Sequence, residues 1–215
     1  IHAHADLETL LTTQLNYFCK NLPYKVIFHA IDPSKEALIY EDRSITVHSI
    51  PLRHRIPCCG FLFAEKPRPN HILREMIDFY QIPIYELNKI KNGADYTTPQ
   101  GEIIPNNRLT SPSLSPRRYA YCSDTIYKED IIPQIHGVDL LFHEATFADS
   151  ELSRAKETFH TTARQAAEIA RKAEVKQLML GHFSARYEDE TILLKEASEI
   201  FLKCTLAKEN LSINI

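Results

Sequence analysis

The sequence predicts a layered α/β fold in which short, buried strands alternate with helices. Apolar runs of four to six residues, bounded by polar residues or glycine, are typical of strands buried on both faces. Three such runs follow one another: Tyr119–Cys122, Asp139–Phe142 and Gln177–Gly181. Before the last run, Thr162 and Gln165 form an S/T-x-x-Q capping box, which marks the start of a helix. We therefore expect one α/β domain over residues 1–215.

Each of these predicted strands delivers polar side chains at its C-terminal end. Asp124 follows the first strand, the pair His143–Glu144 follows the second, and His182 follows the third. Ligands and catalytic groups of layered α/β folds gather beyond the carboxyl ends of the strands. His160 precedes the capped helix, whose positive end favours a neutral imidazole or a nearby anion. This set of side chains indicates a metal-dependent hydrolase.

A further histidine, His54, lies in the earlier part of the chain, within the sequence PLRHRIPCCGFLFAE. The segments Ala37–Tyr40 and Ser44–Ile50 alternate polar and apolar residues and predict a hairpin, and Gly60–Glu65 predicts another strand. A histidine in a short loop between buried strands is a candidate metal ligand. Taken alone, this position favours a structural histidine over a metal ligand.

The remaining elements are predicted from periodicity and turn residues. We expect helices at Asn70–Tyr80, at Ile126–His136 and from Asp189 to Lys203, and strands at Tyr24–Ile31 and at the C-terminal LSINI. Asp6 and the apolar spacing after it indicate a further helix near the start of the chain.

The segment at about 81–118 differs in character from the rest of the chain. Proline, asparagine, threonine and serine cluster there with little periodicity, and Lys89 and Lys91 contribute to a local basic charge. A long loop inside a compact domain is usually functional or mobile. We interpret this segment as a protruding arm; the alternative is a surface insertion with no function of its own.

Composition narrows the possible classes of function. The net charge of −3 gives no overall basic field, although a local basic patch remains compatible with it. No apolar run approaches the ~20 residues of a membrane span, and no GxGxxG or GxxxxGK[ST] loop indicates a nucleotide site. None of the five cysteines forms a CxxC pair, so we expect reduced cysteines in a cytoplasmic protein. The chain begins at Ile1 without a methionine, so we expect its true start to lie upstream.

The candidate residues can be assigned roles in phosphodiester hydrolysis. That reaction is served by two divalent metals about 3.5–4 Å apart, joined by a carboxylate and completed by histidines. Asp124 is the natural bridge, with His54 and His182 as terminal ligands. His160 fits a general acid whose tautomer Glu144 fixes, and His143 fits a second-shell or structural role. From these residues alone, buried structural histidines remain an open alternative.

Five motifs between Pro51 and Tyr187 resemble those of the ribonuclease Z (tRNase Z) family of the metallo-β-lactamase superfamily. They are PLRHRIPCCGF with His54, SDT with Asp124, HEATF with Glu144, HTTA with His160, and HFSARY with His182. The resemblance implies an αββα sandwich of two mixed sheets between helices, with two Zn2+ per complete subunit. It also implies a cytoplasmic homodimer that cleaves the 3′ trailer from precursor tRNA and leaves a 3′-hydroxyl on the tRNA. IPIYELNKIKNG loosely resembles the arm that clamps tRNA in this family, which places Lys89 and Lys91 in tRNA binding.

One family motif, HxHxDH, is not found. Ile1–Asp6 reads IHAHAD, but Leu7 stands where the last histidine would be. The chain therefore resembles the last two-thirds of a ribonuclease Z. For the chain alone we expect weak or absent metal binding, no useful nuclease activity, and one sheet left short with an exposed edge. Two alternatives remain: a phosphodiesterase of the same superfamily that acts on small substrates, and a non-catalytic tRNA-binding fragment.

Overall fold

The computed structural model of the protein describes residues 1–19 and 21–215. The chain divides into two compact units, one formed by residues 1–65 and 117–215 and the other by residues 66–116. The strands are β1 (His2–Ala3), β2 (His29–Ala30), β3 (Leu38–Glu41), β4 (Ile45–Pro51), β5 (Cys59–Glu65), β6 (His71–Ile72), β7 (Tyr96–Thr97), β8 (Ile103–Ile104), β9 (Thr110–Ser111), β10 (Arg118–Cys122), β11 (Leu140–Glu144), β12 (Leu178–Gly181) and β13 (Cys204–Leu206). The α-helices are α1 (Asp6–Phe18), α2 (Arg74–Tyr80), α3 (Ile84–Lys91), α4 (Asn106–Leu109), α5 (Ile132–Ile135), α6 (Leu152–Thr158), α7 (Ala163–Lys172) and α8 (Thr191–Ser198).

The first unit is built on a seven-stranded mixed sheet with the order β13-β12-β11-β10-β5-β4-β3. Strands β10 to β13 pair in parallel, whereas β10–β5, β5–β4 and β4–β3 pair antiparallel. Parallel neighbours need a crossover connection, and α7 supplies one between β11 and β12. Strands β1 and β2 form a separate parallel pair. The predicted α/β class is confirmed: a large mixed sheet lies beside helices.

Helix α7 packs closely on the sheet because its inner face carries small side chains. Four alanines of this helix are completely buried, at positions 163, 166, 167 and 170. Thr162 caps the helix, since its hydroxyl accepts a hydrogen bond from the Gln165 N–H while the Gln165 side chain accepts one from the Thr162 N–H. The predicted capping box is therefore confirmed. It matters for the site because it fixes the chain direction just after His160.

Several predicted elements differ from the structure. The helix expected at Asn70–Tyr80 is shortened to α2 and preceded by β6, and the helix expected from Asp189 to Lys203 is shortened to α8. Within the expected strand Tyr24–Ile31, only the two residues of β2 form a strand. Ile27, which precedes β2, is exposed to solvent. The expected helix at Ile126–His136 is only a 3-10 turn, Glu129–Ile131, followed by α5. The C-terminal LSINI is not a strand; it follows a turn in which Asn210 adopts a left-handed φ of 61°. The last strand of the sheet is β13 instead.

The second unit has regular structure of its own. Apolar side chains spread along the segment form a separate small core: Ile82, Ile90, Tyr96, Ile104 and Leu109. The predicted lack of periodicity is wrong for α3, which begins after Pro83 and carries both Lys89 and Lys91 on its exposed side. The predicted arm at about 81–118 overlaps this unit, and its role in binding stays a prediction. Among the described residues, no helix has both the length and the apolar character needed to cross a bilayer.

Strand β11, an interior strand of the sheet, provides a test of where the stability of the first unit resides. Leu141 on β11 is completely buried in its core, whereas the side chain of Leu202 is 88% exposed. We expect Leu141→Ala to lower the free energy of unfolding by about 2–5 kcal/mol, since it removes buried methyl groups and leaves a cavity. Leu202→Ala, the same chemical change at the surface, should cost no more than about 0.5 kcal/mol. Urea unfolding of both variants measures the difference; equal effects would contradict this placement of the core.

Candidate metal and catalytic site

Three of the predicted site residues lie together because they follow neighbouring parallel strands. Glu144 is the last residue of β11, His182 comes directly after β12, and Asp124 lies two residues beyond β10. Strands β10, β11 and β12 are adjacent and parallel, so their carboxyl ends meet at one edge of the sheet. The structure thus brings together the residues that the sequence placed at strand ends.

Two histidines from loops complete this cluster. His54 lies between β4 and β5, and His160 lies between α6 and α7. The His160 ring has its centroid 5.0 Å from that of His54 and 5.2 Å from that of His182. Potential ligand atoms of His54, Asp124 and His160 lie within 4.8 Å of one another, and so do those of Glu144, His160 and His182. The five side chains therefore form one cluster of potential ligands, and their assignment to a metal stays a prediction.

The histidine rings are oriented by contacts with the protein. The Nδ1 atom of His54 lies 3.1 Å from the backbone oxygen of Phe159. A carbonyl oxygen only accepts, so this nitrogen carries the proton and donates, which leaves Nε2 with a free lone pair. The Nε2 atom of His182 lies 3.2 Å from Oδ1 of Asp124. His54 thus has one nitrogen held by the protein and one left for an ion, which is the usual arrangement of metal-ligating histidines.

The backbone is strained at three points of the site. Asp124, Phe159 and His182 adopt left-handed φ angles of 59°, 61° and 57°. Such conformations of non-glycine residues cost roughly 1–3 kcal/mol each and cluster at functional sites. Two of these residues supply potential ligand atoms, and the third supplies the carbonyl that orients His54. The strain is therefore located where side-chain placement matters most for the proposed chemistry.

Glu144 and His160 form an ion pair at the bottom of the site. The Nδ1 atom of His160 lies 3.0 Å from Oε2 of Glu144, whose side chain is completely buried. The carboxylate also accepts hydrogen bonds from the backbone N–H groups of Thr125 and Thr161. Burial alone would raise the pKa of Glu144, but the hydrogen bonds from His160 and its other donors outweigh burial and lower it. The hydrogen bond to Glu144 raises the pKa of His160 against the opposing effect of burial.

His143 does not join the cluster of potential ligands. Its ring is buried within the sheet, and its Nδ1 atom lies 2.8 Å from the backbone oxygen of Glu144. Burial lowers the pKa of His143. A buried imidazole with a backbone partner is compatible with the second-shell or structural role predicted for it, and that role stays a prediction.

Sequence reasoning missed the three threonines that surround Glu144. Thr125 and Thr161 contribute the backbone N–H groups described above, and the Thr146 hydroxyl lies 2.6 Å from Oε2 of Glu144. Each threonine stands directly beside or within a motif that was recognised: SDT, HTTA and HEATF. The available signal was their position in these motifs, but threonine is common in turns and does not by itself indicate a ligand network.

The donor set of the site fits a divalent metal ion. Imidazole nitrogen and carboxylate oxygen are ligands of zinc and of related transition metals. His54, Asp124 and His182 are the residues predicted to hold the metal; His54 and Asp124 lie in one group of potential ligands, His182 lies in the other, and His160 belongs to both. His160 differs from them because its Nδ1 atom is paired with a buried carboxylate.

Comparison with known proteins first shows which fold the chain has. A sequence profile described as a Beta-lactamase superfamily domain matches residues 109–183. The fold is similar to that of the short form of human tRNase Z, with a TM-score of 0.62 and 21% identity, covering 100% of this chain and 66% of that chain. It is also similar to a metallo-β-lactamase fold protein of Bacillus subtilis, with a TM-score of 0.60 and 16% identity, covering 98% of this chain and 63% of that one. The protein therefore has the metallo-β-lactamase fold, as the sequence resemblance implied.

The family follows from closer relatives. The chain is 70% identical, over all of its 215 residues, to the ribonuclease Z of Phocaeicola vulgatus and covers 70% of that protein. It is 67% identical to the ribonuclease Z of Bacteroides fragilis, again over its whole length, and covers 71% of that relative. The chain belongs to the ribonuclease Z family, a family of endoribonucleases. The resemblance found in the sequence motifs is confirmed.

Proposed function

We propose that the protein is a zinc-dependent endoribonuclease that cleaves the 3′ trailer from precursor tRNA and leaves a 3′-hydroxyl on the tRNA. The observation that carries this proposal is the convergence of Asp124, His54 and His182 beside the Glu144–His160 pair. This cluster occurs in a chain that is 46–70% identical over its full length to relatives named ribonuclease Z.

His54, Asp124 and His182 would hold zinc in this proposal. Bound zinc supplies Lewis-acid chemistry, which neutralises charge on a phosphodiester and activates water for attack. The protein contributes the orientation of the ligands, since the backbone oxygen of Phe159 fixes the ring of His54. Asp124 would contribute a carboxylate and its negative charge to the metal site.

His160 would act as the general acid. Cleavage that leaves a hydroxyl on the tRNA breaks the bond between phosphorus and the 3′ oxygen, and this oxygen needs a proton as it leaves. Glu144 accepts the Nδ1–H of His160, so the proton to be transferred is the one on Nε2. The raised pKa of His160 keeps this second proton available closer to neutral pH than an ordinary histidine would.

Precursor tRNA would be bound through the basic residues of α3. Lys89 and Lys91 are both exposed, and the ammonium group of Lys89 lies 2.9 Å from Oε1 of Glu86. Lysine contacts with phosphates supply affinity that depends strongly on salt.

We further propose that the enzyme is a homodimer and that it acts in the cytoplasm. The family resemblance supports both the dimer and the location.

The function is tested by offering two substrates to the intact protein in the presence of zinc. We expect it to cleave a precursor tRNA with a 3′ trailer and to release a tRNA whose 3′ end can be labelled enzymatically as a hydroxyl. The second substrate is bis(p-nitrophenyl) phosphate, a small phosphodiester. Hydrolysis of the small ester without cleavage of precursor tRNA would contradict the proposal and would favour a phosphodiesterase for small substrates.

The role of α3 gives a separate prediction. Lys89→Glu combined with Lys91→Glu should weaken binding of precursor tRNA and reduce the slope of log affinity against log salt by about 2, about 1 for each lost phosphate contact. Hydrolysis of bis(p-nitrophenyl) phosphate should stay within about twofold, because a small ester does not need these contacts. Lys203→Glu combined with Lys208→Glu, an equal charge reversal at two exposed lysines of the first unit, is the matched control. Unchanged tRNA binding, or equal loss with both substrates, would refute this role.

A further inference from the structure

The ring of Phe147 lies against the ring of His160, the general acid of the proposed reaction. The centroids of the two rings are 6.2 Å apart and their planes meet at 64°, which is a T-shaped contact. Aromatic rings favour this arrangement, because the positive edge of one ring faces the negative face of the other. Phe147 is only 4% exposed, so it acts on the site from within the protein and not through contact with the substrate.

The hydrogen bond to Glu144 does not by itself fix the tilt of the His160 ring. That contact holds Nδ1 at 3.0 Å from Oε2 of the carboxylate. The nitrogen on the far side of the ring, Nε2, moves most when the ring tilts about this point. Because the proposed proton transfer leaves from Nε2, the tilt of the ring decides whether that atom faces the leaving oxygen of the substrate.

The neighbouring rings differ in how well they can hold His160. Among the described residues, the rings in contact with it belong to His54, His182 and Phe147. The two histidines are candidate metal ligands, so a bound metal would set their orientation. Phe147 is neither a ligand nor titratable, and it is therefore the ring against which the tilt of His160 can be fixed.

The backbone of Phe147 is paired with the segment that carries His160. The N–H of Phe147 donates to the backbone oxygen of Thr161 at 3.4 Å, and the N–H of Ala163 donates to the backbone oxygen of Phe147 at 2.9 Å. A parallel bridge between Phe147 and Thr162 results. The two rings are thus held in register by main-chain contacts that a change of the Phe147 side chain leaves in place.

The guanidinium of Arg186 holds the Phe147 ring from another side. Its central carbon lies 5.1 Å from the centroid of the ring, a cation–π contact. The guanidinium is itself fixed, since Nη1 lies 2.8 Å from Oε2 of Glu151 and Nε lies 3.3 Å from Oγ of Ser184. The Phe147 ring therefore lies between a fixed cation and the general acid.

We propose that Phe147 is a positioning residue that fixes the tilt of the His160 ring, so that Nε2 faces the leaving 3′ oxygen of the substrate. Phe147 takes no part in the chemistry: the bond between phosphorus and the 3′ oxygen breaks, and that oxygen keeps the electron pair and receives the proton. The catalytic role rests on the proposed function, whereas the contact between the rings does not. Ordinary core packing is the alternative, and it predicts lost stability without a specific loss at His160.

The experiment compares Phe147→Leu, which removes the aromatic ring and keeps an apolar side chain, with the matched control Phe201→Leu. Phe201 packs against the same core but precedes β13, so it lies at the opposite edge of the sheet from the site. With precursor tRNA and zinc, Phe147→Leu should lower kcat about 10- to 100-fold, as expected for a misplaced catalytic group, and leave KM within about threefold. Phe201→Leu should leave both within about twofold, and both variants should keep the zinc content of the wild type.

A double-mutant cycle separates positioning of His160 from a general defect. If Phe147 acts through His160, then adding Phe147→Leu to His160→Ala should slow single-turnover cleavage by less than about twofold, because no ring is left to position. If the double variant instead loses the full factor seen for Phe147→Leu alone, Phe147 acts by another route and the proposal is overturned. Loss of zinc from Phe147→Leu would overturn it as well.

The contact between the rings is measured without catalysis. In the intact protein labelled with 13C at histidine and phenylalanine, NMR should show nuclear Overhauser effects between the ring protons of Phe147 and those of His160. Spectra of Phe147→Leu and His160→Ala assign the signals, and absence of these effects in the wild type would overturn the contact. If they are present but the wild type does not cleave precursor tRNA, the proposed function and the catalytic role are refuted while the contact stands. Should Phe147→Leu be unfolded by circular dichroism, Phe147→Met removes the ring with a more adaptable side chain.

Discussion

His160→Ala is expected to lower kcat for cleavage of precursor tRNA by about 10²- to 10⁴-fold, the usual contribution of a positioned general acid. The structure separates this role from metal binding, because the Nδ1 atom of His160 is paired at 3.0 Å with the buried carboxylate of Glu144. We therefore expect zinc content, measured by mass spectrometry of the purified protein, to stay at the wild-type value. His136→Ala, at a mostly exposed histidine, is the matched control and should leave kcat unchanged.

A modified substrate distinguishes proton donation from any other defect of His160→Ala. When sulfur replaces the bridging 3′ oxygen at the cleavage site, the leaving group is a thiolate, which departs without a proton because a thiol is far more acidic than an alcohol. With this substrate the defect of His160→Ala should shrink to less than about tenfold. A defect of the same size with both substrates, or loss of zinc from the variant, would show that His160 is a ligand or a structural residue.

The location of the site could be predicted from the sequence because it depends on strand ends. The buried runs that became β10, β11 and β12 are short and strongly apolar, so their positions were recognisable. Once they are neighbouring parallel strands, Asp124, Glu144 and His182 must meet at one edge. His54 and His160 were candidates from their positions, in a loop between strands and before a capped helix, and the motifs then strengthened both assignments. The roles assigned to these residues await the experiments described here.

What the sequence could not predict depends on contacts between distant residues. The left-handed backbone of Phe159 has no local signal, since a bulky residue such as phenylalanine rarely adopts φ > 0. The hydroxyl of Thr146 reaches His182 across 36 positions of the chain. The core of the second unit is assembled from single apolar residues separated by polar turns, so α3 was hidden in a segment that reads as a loop. Local propensity is a weak guide wherever such long-range packing decides the structure.

Replacement of Asp124 tests the metal hypothesis most directly. Asp124→Asn removes the negative charge while keeping the size of the side chain, so two cations would lose the carboxylate that brings them together. We expect zinc content to fall well below the wild-type value and cleavage of precursor tRNA to fall to background. Asparagine is the right replacement because Asp124 adopts a left-handed φ of 59°, which asparagine tolerates and alanine does not. A defect in Asp124→Ala would mix loss of the ligand with loss of the turn.

The control for Asp124→Asn must remove a carboxylate that lies outside the site. Asp189→Asn does so: Asp189 accepts a hydrogen bond from the N–H of Thr191 at 3.0 Å near the start of α8, a role that an asparagine side chain can also perform. This variant should retain zinc and full activity. Thermal unfolding of both variants shows whether the folds are equally intact. Full zinc content and normal cleavage in a folded Asp124→Asn would mean that the carboxylate beside His182 does not hold the metal, because no part of the turn geometry would have changed to explain the result.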